Sequence, residues 1–184
     1  IDLSPRQIEE GQGVVRALGL DNIELLPQSI LDVSADFGLF DYIICHGVYS
    51  WVPPVVQDKI LLICKQNLAA NGVAFVSYNT FPGWHARGMV REAMRFHTPI
   101  LADPQACRTG ARELLAFLIE ATAAGGSAYH TLLKEEQELL SRCKDSYIFH
   151  EHLEEVNDPL YFHHFIERTA KHGLKYLGDA EIIT

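Results

Sequence analysis

Short apolar runs alternate with amphipathic stretches along the first half of this chain, and the runs predict strands. The run at 41–45 is an aspartate followed by Tyr-Ile-Ile-Cys. Such a run predicts a strand that is buried on both faces, as in a parallel sheet. A second buried strand is predicted over 73–78 and a shorter one over 22–27, while residues 1–3 look like the tail of another. The same pattern returns at 174–177.

Helices are predicted between these strands. Ser4 is a candidate N-cap with Pro5 in the first helical position, and Gly19 is a candidate stop for that helix. A second helix follows Pro53-Pro54 and is predicted to end at Asn71-Gly72. The resulting order, β-α-β-β-α-β, predicts an α/β fold with a sheet of parallel strands.

Beyond the strand at 73–78 the pattern becomes helical and carries no strand signal. Helices are predicted over 88–97, over 104–125 with Asp103 as N-cap, and from Ser127 onward. In the last of these, the apolar residues and one acidic residue, Glu136, fall on the same side.

The α/β pattern resumes near the end of the chain. Asp158-Pro159 is a candidate start for a further helix, which Gly173 would stop. We therefore expect a core formed by 1–85 and 158–184, interrupted by a helical insertion over 86–157.

The net charge of the chain bears on the class of partner that it can bind. The formal net charge is −9 and the pI is about 5.4, which argues against nucleic acid as the main partner because phosphates need cations. Arg87, Arg91 and Arg95 recur every four residues and would share one face of a helix. We interpret that row as a solvated face in preference to a binding patch.

Cysteine usage and hydropathy indicate the compartment. The four cysteines are far apart and include no Cys-x-x-Cys pair, which favours reduced thiols and a cytoplasmic location over a disulfide scaffold or a zinc site. No segment reaches the roughly 20 apolar residues of a membrane helix. The chain starts at Ile1 within an apolar and acidic pattern, and we expect the natural protein to have further residues before it.

The residues after the 41–45 strand are the first place to look for chemistry, because open α/β sheets bind ligands at the carboxyl ends of their strands. His46 is a candidate base, ligand contact or buried hydrogen-bonded histidine. Tyr49 and Trp51 offer flat faces that attract cationic groups, although such rings also simply pack. Asn79 and Trp84 follow the next strand and are expected to meet the same crevice.

Two other patterns are weaker. Asp2 precedes a helix and is placed either to accept the hydroxyls of a ribose or to contact the N-terminus of that helix. His150, His152 and the pair His163-His164 suggest a metal, but the motif His-Glu-x-x-His is absent. We interpret these histidines as parts of a polar helix surface and a linker, and predict no metal site.

Several longer runs in this sequence resemble one family. Residues 1–5 (IDLSP), 40–44 (FDYII) and 68–73 (LAANGV) resemble the class I S-adenosylmethionine-dependent methyltransferases from their second strand onward. The more specific runs resemble bacterial methyltransferases that carry a methyltransferase regulatory domain, a group similar to bacterial protein-lysine methyltransferases. These runs are HGVYSWVP at 46–53, YNTFPGW at 78–84 and DSYIFHE at 145–151, followed by VN at 156–157.

The resemblance implies a partial Rossmann-like core that binds S-adenosylmethionine. It implies that Asp2 holds the ribose, that Ser29 and Ile30 lie beside the adenine, and that His46 and Gly47 lie beside the methionine part. The segment from about 88 to 157 matches the regulatory domain. The family's first strand and its glycine-rich loop would precede Ile1, so we expect this fragment alone to bind the cofactor poorly and to be inactive.

The implied reaction is in-line methyl transfer to a protein side chain or a small molecule, which needs positioning and exclusion of water. Candidate catalytic residues are His46, as proton acceptor, and Tyr49. Residues expected to shape the acceptor pocket are Tyr49, Trp51, Asn79 and Trp84. The helical insertion would be a lid, a substrate-selection platform or a homodimer contact. The alternatives are a catalytically inactive cofactor-binding or regulatory module and a nicotinamide-dependent oxidoreductase, which lacks support because no Tyr-x-x-x-Lys follows the central strand.

Overall fold

The computed structural model describes residues 1–98 and 103–180 of the chain. It divides into two compact units, an α/β unit of Ile1–Tyr78 with His163–Thr184 and a helical unit of Asn79–Phe162. The predicted assignment of 1–85 and 158–184 to a core, and of 86–157 to an insertion, stays a prediction about domains. The last four residues of that predicted core lie outside the described residues.

Seven α-helices and two strands make up most of the described residues. In chain order they are α1 (Pro5–Ala17), β1 (Phe40–Cys45), α2 (Pro54–Asn67), β2 (Leu68–Val76), α3 (Gly83–His97), α4 (Pro104–Thr122), α5 (Ala128–Arg142), α6 (Asp145–Ile148) and α7 (Phe162–Lys171). A π-helical turn, Phe149–Leu153, follows α6 directly. In the described part of the chain, no helix is both long and apolar enough to cross a membrane.

The two strands confirm the predicted α/β class. β1 pairs with β2 in parallel, with Tyr42 opposite Val73 and Cys45 opposite Val76. The pairing is irregular between Phe40 and Tyr42. A side chain at Gly72 would come within 2.9 Å of the Phe40 carbonyl oxygen, so this close approach of two strands requires a glycine.

The predicted end of α2 at Asn71-Gly72 was wrong. The helix stops at Asn67, whose buried side-chain amide donates to the carbonyls of Ser34 (3.0 Å) and Gly38 (2.9 Å). Asn71 and Gly72 lie inside β2 instead. The dipeptide that normally signals a turn is accommodated here because the pairing of the strands is irregular.

The prediction that β1 is buried on both faces was also wrong. Tyr42 and Ile44, which point to the same side of the strand, are 75% and 72% exposed. The strand contacts α2, where Ile60, Leu61 and Cys64 are buried. Within the described residues, β1 therefore buries one face against a helix and leaves the other in solvent.

Two of the predicted strands are not strands in the structure. Residues 22–27 form a single parallel bridge, Asp2 to Pro27, in which the Asp2 N–H donates to the Leu26 carbonyl at 3.2 Å. Pro27 has no N–H to extend a ladder, and the chain enters α1 three residues after Asp2. Residues 174–177 have no strand structure, because an apolar run becomes a strand only where a partner strand lies beside it.

Most helices begin at the positions that their capping residues predicted. Ser4 accepts a hydrogen bond from the Gln7 N–H (3.4 Å) with Pro5 in the first turn, and Gly19 lies beyond α1 with a φ of 65°. Asp103 accepts from the N–H groups of Gln105 and Ala106 at the start of α4. Ser127 caps α5 in the same way.

Two starts were predicted wrongly, and both lie at the chain ends of the helical unit. α3 begins at Gly83 rather than at 88, and α7 begins at Phe162 rather than after Asp158-Pro159. The segments just before these two helices pair with each other, since the Phe81 N–H donates to the Leu160 carbonyl (3.0 Å) and the Leu160 N–H to the Asn79 carbonyl (2.9 Å). This long-range pairing forms a single parallel bridge between Thr80 and Leu160.

The helical unit has its own hydrophobic core. The buried residues come from α3 to α6 and include Val90, Met94, Ala111, Leu115, Leu133, Leu140 and Ile148. They recur at helical spacing, as an inward face of an amphipathic helix does.

The arginine row is the largest correction in this unit, because it is not a solvated face. Arg91 is only 5% exposed, and its guanidinium donates to three main-chain carbonyls, of Glu151 (3.5 Å), Glu154 and Glu155 (3.4 Å). Arg95 donates to the Glu155 carbonyl at 3.2 Å. The carbonyls that end the π-helical turn lack intrahelical partners, and a guanidinium with five donors can satisfy several of them.

Candidate functional site

The carboxyl end of β1 positions His46 and Gly47. The Ser77 N–H donates to the Cys45 carbonyl at 3.0 Å, and the Gly47 N–H donates to the Ser77 hydroxyl at 2.8 Å. Gly47 has a φ of 68°, a conformation that favours glycine. His46 is exposed, with its ring 5.7 Å from that of Phe75. The two strand ends are thus tied together, and the imidazole of His46 reaches solvent.

Tyr49 belongs to an aromatic core. It starts a one-turn 3-10 helix, Tyr49–Trp51, and is fully buried. Its ring meets Phe165 edge-on at 5.4 Å and lies 6.3 Å from Tyr78, while Tyr78 and Phe165 stack at 4.3 Å. Of the two alternatives left open by the sequence, packing is the one this geometry displays. The predicted catalytic and acceptor-binding roles of Tyr49 stay predictions, as does that of Trp51, which is half-buried.

A polar contact network borders this core. The Gln57 side-chain amide donates to the Tyr49 carbonyl at 3.0 Å and accepts from the Arg168 guanidinium at 2.6 Å. These residues line a hollow of about 200 Å³ that also includes Asp58 and Lys171. Asp58 lies 2.9 Å from the Nε2 atom of His172. The sequence offered no signal for this arrangement, because Gln57 and Asp58 lie in α2, whereas Arg168, Lys171 and His172 lie in α7 or directly after it, more than a hundred positions away.

The residues predicted beside the ribose and adenine lie at the start of the α/β unit. Asp2 is exposed, and its Oδ1 atom accepts from the Ser4 N–H at 2.7 Å. The Ser29 hydroxyl accepts from the Leu31 N–H at 3.1 Å and so caps the short 3-10 helix of Ile30–Asp32. The helix-start alternative for Asp2 is therefore present in the structure, and the cofactor roles of Asp2, Ser29 and Ile30 stay predictions.

Asn79 and Trp84 lie in the helical unit. The Asn79 side-chain amide donates to the Asn157 side-chain carbonyl at 3.0 Å. The guanidinium carbon of Arg87 lies 5.6 Å from the centre of the Trp84 ring, a cation–π distance. Their predicted part in the acceptor pocket, in one crevice with His46, stays a prediction.

A buried charge network in the helical unit was missed by the sequence reasoning. The Nε2 atom of His152 lies 2.9 Å from Oε1 of Glu136, and the other Glu136 oxygen lies 3.5 Å from Nε of Arg87. Arg87 also reaches Glu151 at 3.6 Å. His152 is fully buried, so its interpretation as part of a polar surface was wrong.

The electrostatics of this network follow from its burial. Burial by itself raises the pKa of Glu136, but the hydrogen bond from His152 and the charge of Arg87 outweigh that effect, and the pKa of Glu136 is lowered. Glu136 could have been found from the sequence, because a carboxylate on the apolar side of a helix needs a buried partner. Its partners come from two distant segments that no spacing links to it.

In the part of the chain that the structure describes, potential metal ligands do not cluster, and two thiols have raised pKa values. The described residues contain no group of three or more His, Cys, Asp or Glu side chains that could hold a metal ion. The four cysteines are free thiols. Burial raises the pKa of both Cys45 and Cys64 to about 11, which leaves few thiolates at neutral pH.

The chain matches known proteins over nearly its whole length. A family model described as "Predicted methyltransferase regulatory domain" matches residues 144–184. The uncharacterized protein RP789 of Rickettsia prowazekii is 45% identical over 184 residues, which are 100% of this chain and 33% of that protein. The uncharacterized protein RP028 of the same organism is 42% identical over 177 residues, 96% of this chain and 71% of that protein.

A solved structure matches as well. PKMT2 from Rickettsia typhi has 46% sequence identity, a TM-score of 0.81, and coverage of 97% of this chain and 33% of that chain. Its complex with AdoHcy gives a TM-score of 0.84 at the same identity, with 97% of this chain and 34% of that chain covered. The chain thus spans about a third of the length of RP789 and of PKMT2.

Two parallel strands joined by a helix make this an α/β protein, and its fold matches that of PKMT2. The chain belongs to one family with RP028, and it is related to methyltransferases that carry the methyltransferase regulatory domain.

Proposed function

We propose that this chain is part of an enzyme that transfers the methyl group of S-adenosylmethionine to a protein side chain or a small molecule. The observation that carries the proposal is the match to PKMT2 in complex with AdoHcy, at 46% identity over 97% of this chain. AdoHcy is what S-adenosylmethionine becomes once its methyl group has left. The relevance of that complex to this chain is part of the proposal.

The exposed residues of the α/β unit fit such a cofactor. Asp2 carries an exposed carboxylate that the Ser4 N–H holds in place, and a fixed carboxylate is suited to the two hydroxyls of a ribose. At the end of β1, the space where a Cβ atom of Gly47 would lie is open, with no other atom within 4 Å. Asp2, Ser29 and Ile30 would hold the nucleoside, and His46 and Gly47 the methionine part.

In methyl transfer, these residues would position the reactants and would form few or no covalent bonds themselves. The acceptor's lone pair forms a bond to the methyl carbon, while the carbon–sulfur bond breaks and its electron pair stays on sulfur. An acceptor that arrives protonated must lose a proton, and His46, which is exposed at the strand end, would take it. Tyr49, buried in the aromatic core, would act through the shape of the loop.

The helical unit would act as a lid or a substrate-selection module. Its own hydrophobic core supports this role, because a unit that folds around its own core can move or vary as one piece. A homodimer contact through the same unit is a further proposal. A partner other than nucleic acid is favoured, because Arg87, Arg91 and Arg95 are engaged within the protein.

A second candidate function is a regulatory module without catalytic activity. The match of 144–184 to a model described as a regulatory domain favours it. Incubating the natural-length protein with methyl-labelled S-adenosylmethionine and bacterial protein extract separates the two. Label transferred to protein or metabolite supports the enzyme. Cofactor binding without transfer supports the regulatory module.

The role of the helical unit has its own test. Deleting 79–162 from the natural-length protein and bridging the gap should leave cofactor binding intact and abolish acceptor turnover. Unchanged acceptor specificity would contradict the lid or selection role.

A further inference from the structure

One serine connects the carboxyl ends of the two strands. Ser77 lies directly beyond β2, and its N–H donates to the Cys45 carbonyl at 3.0 Å. Its hydroxyl accepts a hydrogen bond from the Gly47 N–H at 2.8 Å. Ser77 is half-buried, whereas His46 and Gly47 are exposed. A single residue at the end of β2 thus holds both ends of the segment 45–47.

The hydrogen bond to Ser77 selects the conformation of Gly47. Gly47 has a φ of 68°, and because a glycine adopts negative φ values about as readily, its own sterics do not select this conformation. Packing does not select it either, since no atom beyond its chain neighbours lies within 4 Å of the position that a Cβ atom would take. Among the contacts of the described residues, the 2.8 Å bond to the Ser77 hydroxyl is therefore the one that orients Gly47.

The same bond orients the peptide between His46 and Gly47. This peptide bond is trans, and in a planar trans peptide the carbonyl and the following N–H point in opposite directions. Because the Gly47 N–H points at Ser77, the His46 carbonyl points away from Ser77 and from the end of β2. A carbonyl oxygen accepts hydrogen bonds, including those of an ammonium group. Ser77 thus fixes a hydrogen-bond acceptor at the end of β1.

A fixed loop favours the binding of a ligand that needs that one conformation. Without its hydrogen bond, Gly47 would populate several conformations, and the apparent affinity would fall in proportion to the fraction that is competent to bind. One hydrogen bond between neutral groups shifts such an equilibrium about two- to tenfold. Under the proposed function, the ligand at His46 and Gly47 is the methionine part of S-adenosylmethionine, which carries an ammonium group.

We propose that Ser77 is a positioning residue for the cofactor, because its hydroxyl holds the peptide between His46 and Gly47 in the orientation that receives the methionine part of S-adenosylmethionine. Ser77 acts through Gly47 and takes no part in the methyl transfer itself. The fixing of Gly47 follows from the contacts at the strand ends, and the link to the cofactor rests on the proposed function.

Calorimetric titration of variants of the natural-length protein with S-adenosylmethionine tests the effect on affinity. Ser77→Ala should weaken binding about two- to tenfold, the effect of one lost hydrogen bond between neutral groups. Ser77→Thr keeps the hydroxyl and should bind within about twofold of the unaltered protein. The proposal would be overturned if Ser77→Ala bound as tightly as the unaltered protein, or if Ser77→Thr bound as weakly as Ser77→Ala.

The matched control is Ser34→Ala in the same unit. The Ser34 hydroxyl accepts from the Asp36 N–H at 3.3 Å, so this variant also loses one hydrogen bond between a hydroxyl and the main chain, but in the segment before β1. Urea unfolding should show a similar small loss of stability in both alanine variants, while only Ser77→Ala loses cofactor affinity. An equal loss of affinity in Ser34→Ala would refute the positioning role.

Hydrogen exchange tests the fixing of the loop without any cofactor. In Ser77→Ala the Gly47 amide should exchange about two- to tenfold faster than in the unaltered protein, while the amides of β1 keep their rates. An unchanged rate at Gly47 would refute its fixing by Ser77.

The calorimetric outcomes separate this proposal from the proposed function. If the unaltered protein binds no S-adenosylmethionine, both proposals fall. If it binds S-adenosylmethionine and Ser77→Ala binds it equally well, only the positioning role of Ser77 falls.

Discussion

Replacing Arg91 by Met tests the most consequential contact in the helical unit. Arg91 is 5% exposed and donates to the carbonyls of Glu151, Glu154 and Glu155. Methionine fills similar volume but donates no hydrogen bond, so the carbonyls that end the π-helical turn lose their partner. The side chain is buried among them, so water replaces these bonds poorly.

The magnitude follows from the number and length of the bonds. A hydrogen bond to a charged group contributes about 1.5–3 kcal/mol, and two of the three here are long, at 3.4 and 3.5 Å. We therefore expect Arg91→Met to lower the free energy of unfolding by about 3 kcal/mol, the equivalent of one strong and two weak bonds. Arg91→Lys should recover only part of this, because an ammonium lacks the fork of a guanidinium.

The matched control is Arg142→Met in the same unit. Arg142 is mostly exposed and pairs with Glu138 one helical turn away, a type of pair that contributes about 0.3–0.5 kcal/mol. The assay is urea unfolding followed by circular dichroism, together with hydrogen exchange of the amides at 149–155. Exchange should rise at 149–155 in Arg91→Met alone. A loss of stability no larger than that of the control would refute the buried role and restore the solvated-face interpretation.

Three further predictions follow from local contacts. The pKa of Glu136 is lowered in the folded chain, so the ionised carboxylate stabilises the fold fully above the ordinary glutamate pKa of about 4.3, and this stabilisation is lost as the pH falls through the folded-state pKa. The difference in urea midpoint between the unaltered chain and Glu136→Gln should therefore shrink from pH 6 to pH 3, and a constant difference would contradict this. Cys45 and Cys64 have pKa values of about 11, so about one part in a thousand of each is thiolate at pH 8. A disulfide reagent should therefore label the half-buried Cys143 first, and equal labelling rates in the native chain would refute the raised pKa values. Gly72→Ala should lower the free energy of unfolding by about 1–3 kcal/mol, because the new Cβ atom would lie 2.9 Å from the Phe40 carbonyl oxygen. Gly13→Ala in α1, where the space is open, should instead raise the free energy of unfolding by up to about 1 kcal/mol. Thermal melts in which both variants shift the melting temperature in the same direction would contradict the packing at β1.

What the sequence could predict was mainly local. Ser4, Asp103 and Ser127 each cap the helix that follows them within three residues, so their effect is readable from neighbours in the chain. The parallel pairing of β1 and β2 also followed, because the helix between them connects strands of one direction.

The failures all involve partners that are distant in the chain. The dipeptide Asn71-Gly72 predicts the end of a helix, but it lies inside β2 because that segment pairs with β1. The spacing of the row that contains Arg91 predicts a solvated face, but Arg91 is buried because its guanidinium donates to main-chain carbonyls about sixty positions away in the chain. A pattern along one segment predicts its periodicity but carries no information on which distant groups will meet it.

The candidate site divides in the same way. The strand end that presents His46 was located from the sequence, since the change from apolar to small and polar residues occurs at that position. The burial of Tyr49 was not, because Tyr78 and Phe165 come from other segments. The network of Glu136 and His152 likewise required the packed helices to be seen.

Calorimetric titration of the natural-length protein with S-adenosylmethionine tests the central claim most directly. We expect saturable binding, and we expect Asp2→Ala to weaken it at least tenfold, since each hydrogen bond from a ribose hydroxyl to the carboxylate contributes about 1.5–3 kcal/mol. Asp21→Ala, which removes another exposed aspartate of the same unit, should leave the affinity unchanged. An absence of S-adenosylmethionine binding would contradict the proposed function, and an Asp2→Ala affinity equal to that of the unaltered protein would remove Asp2 from the cofactor site.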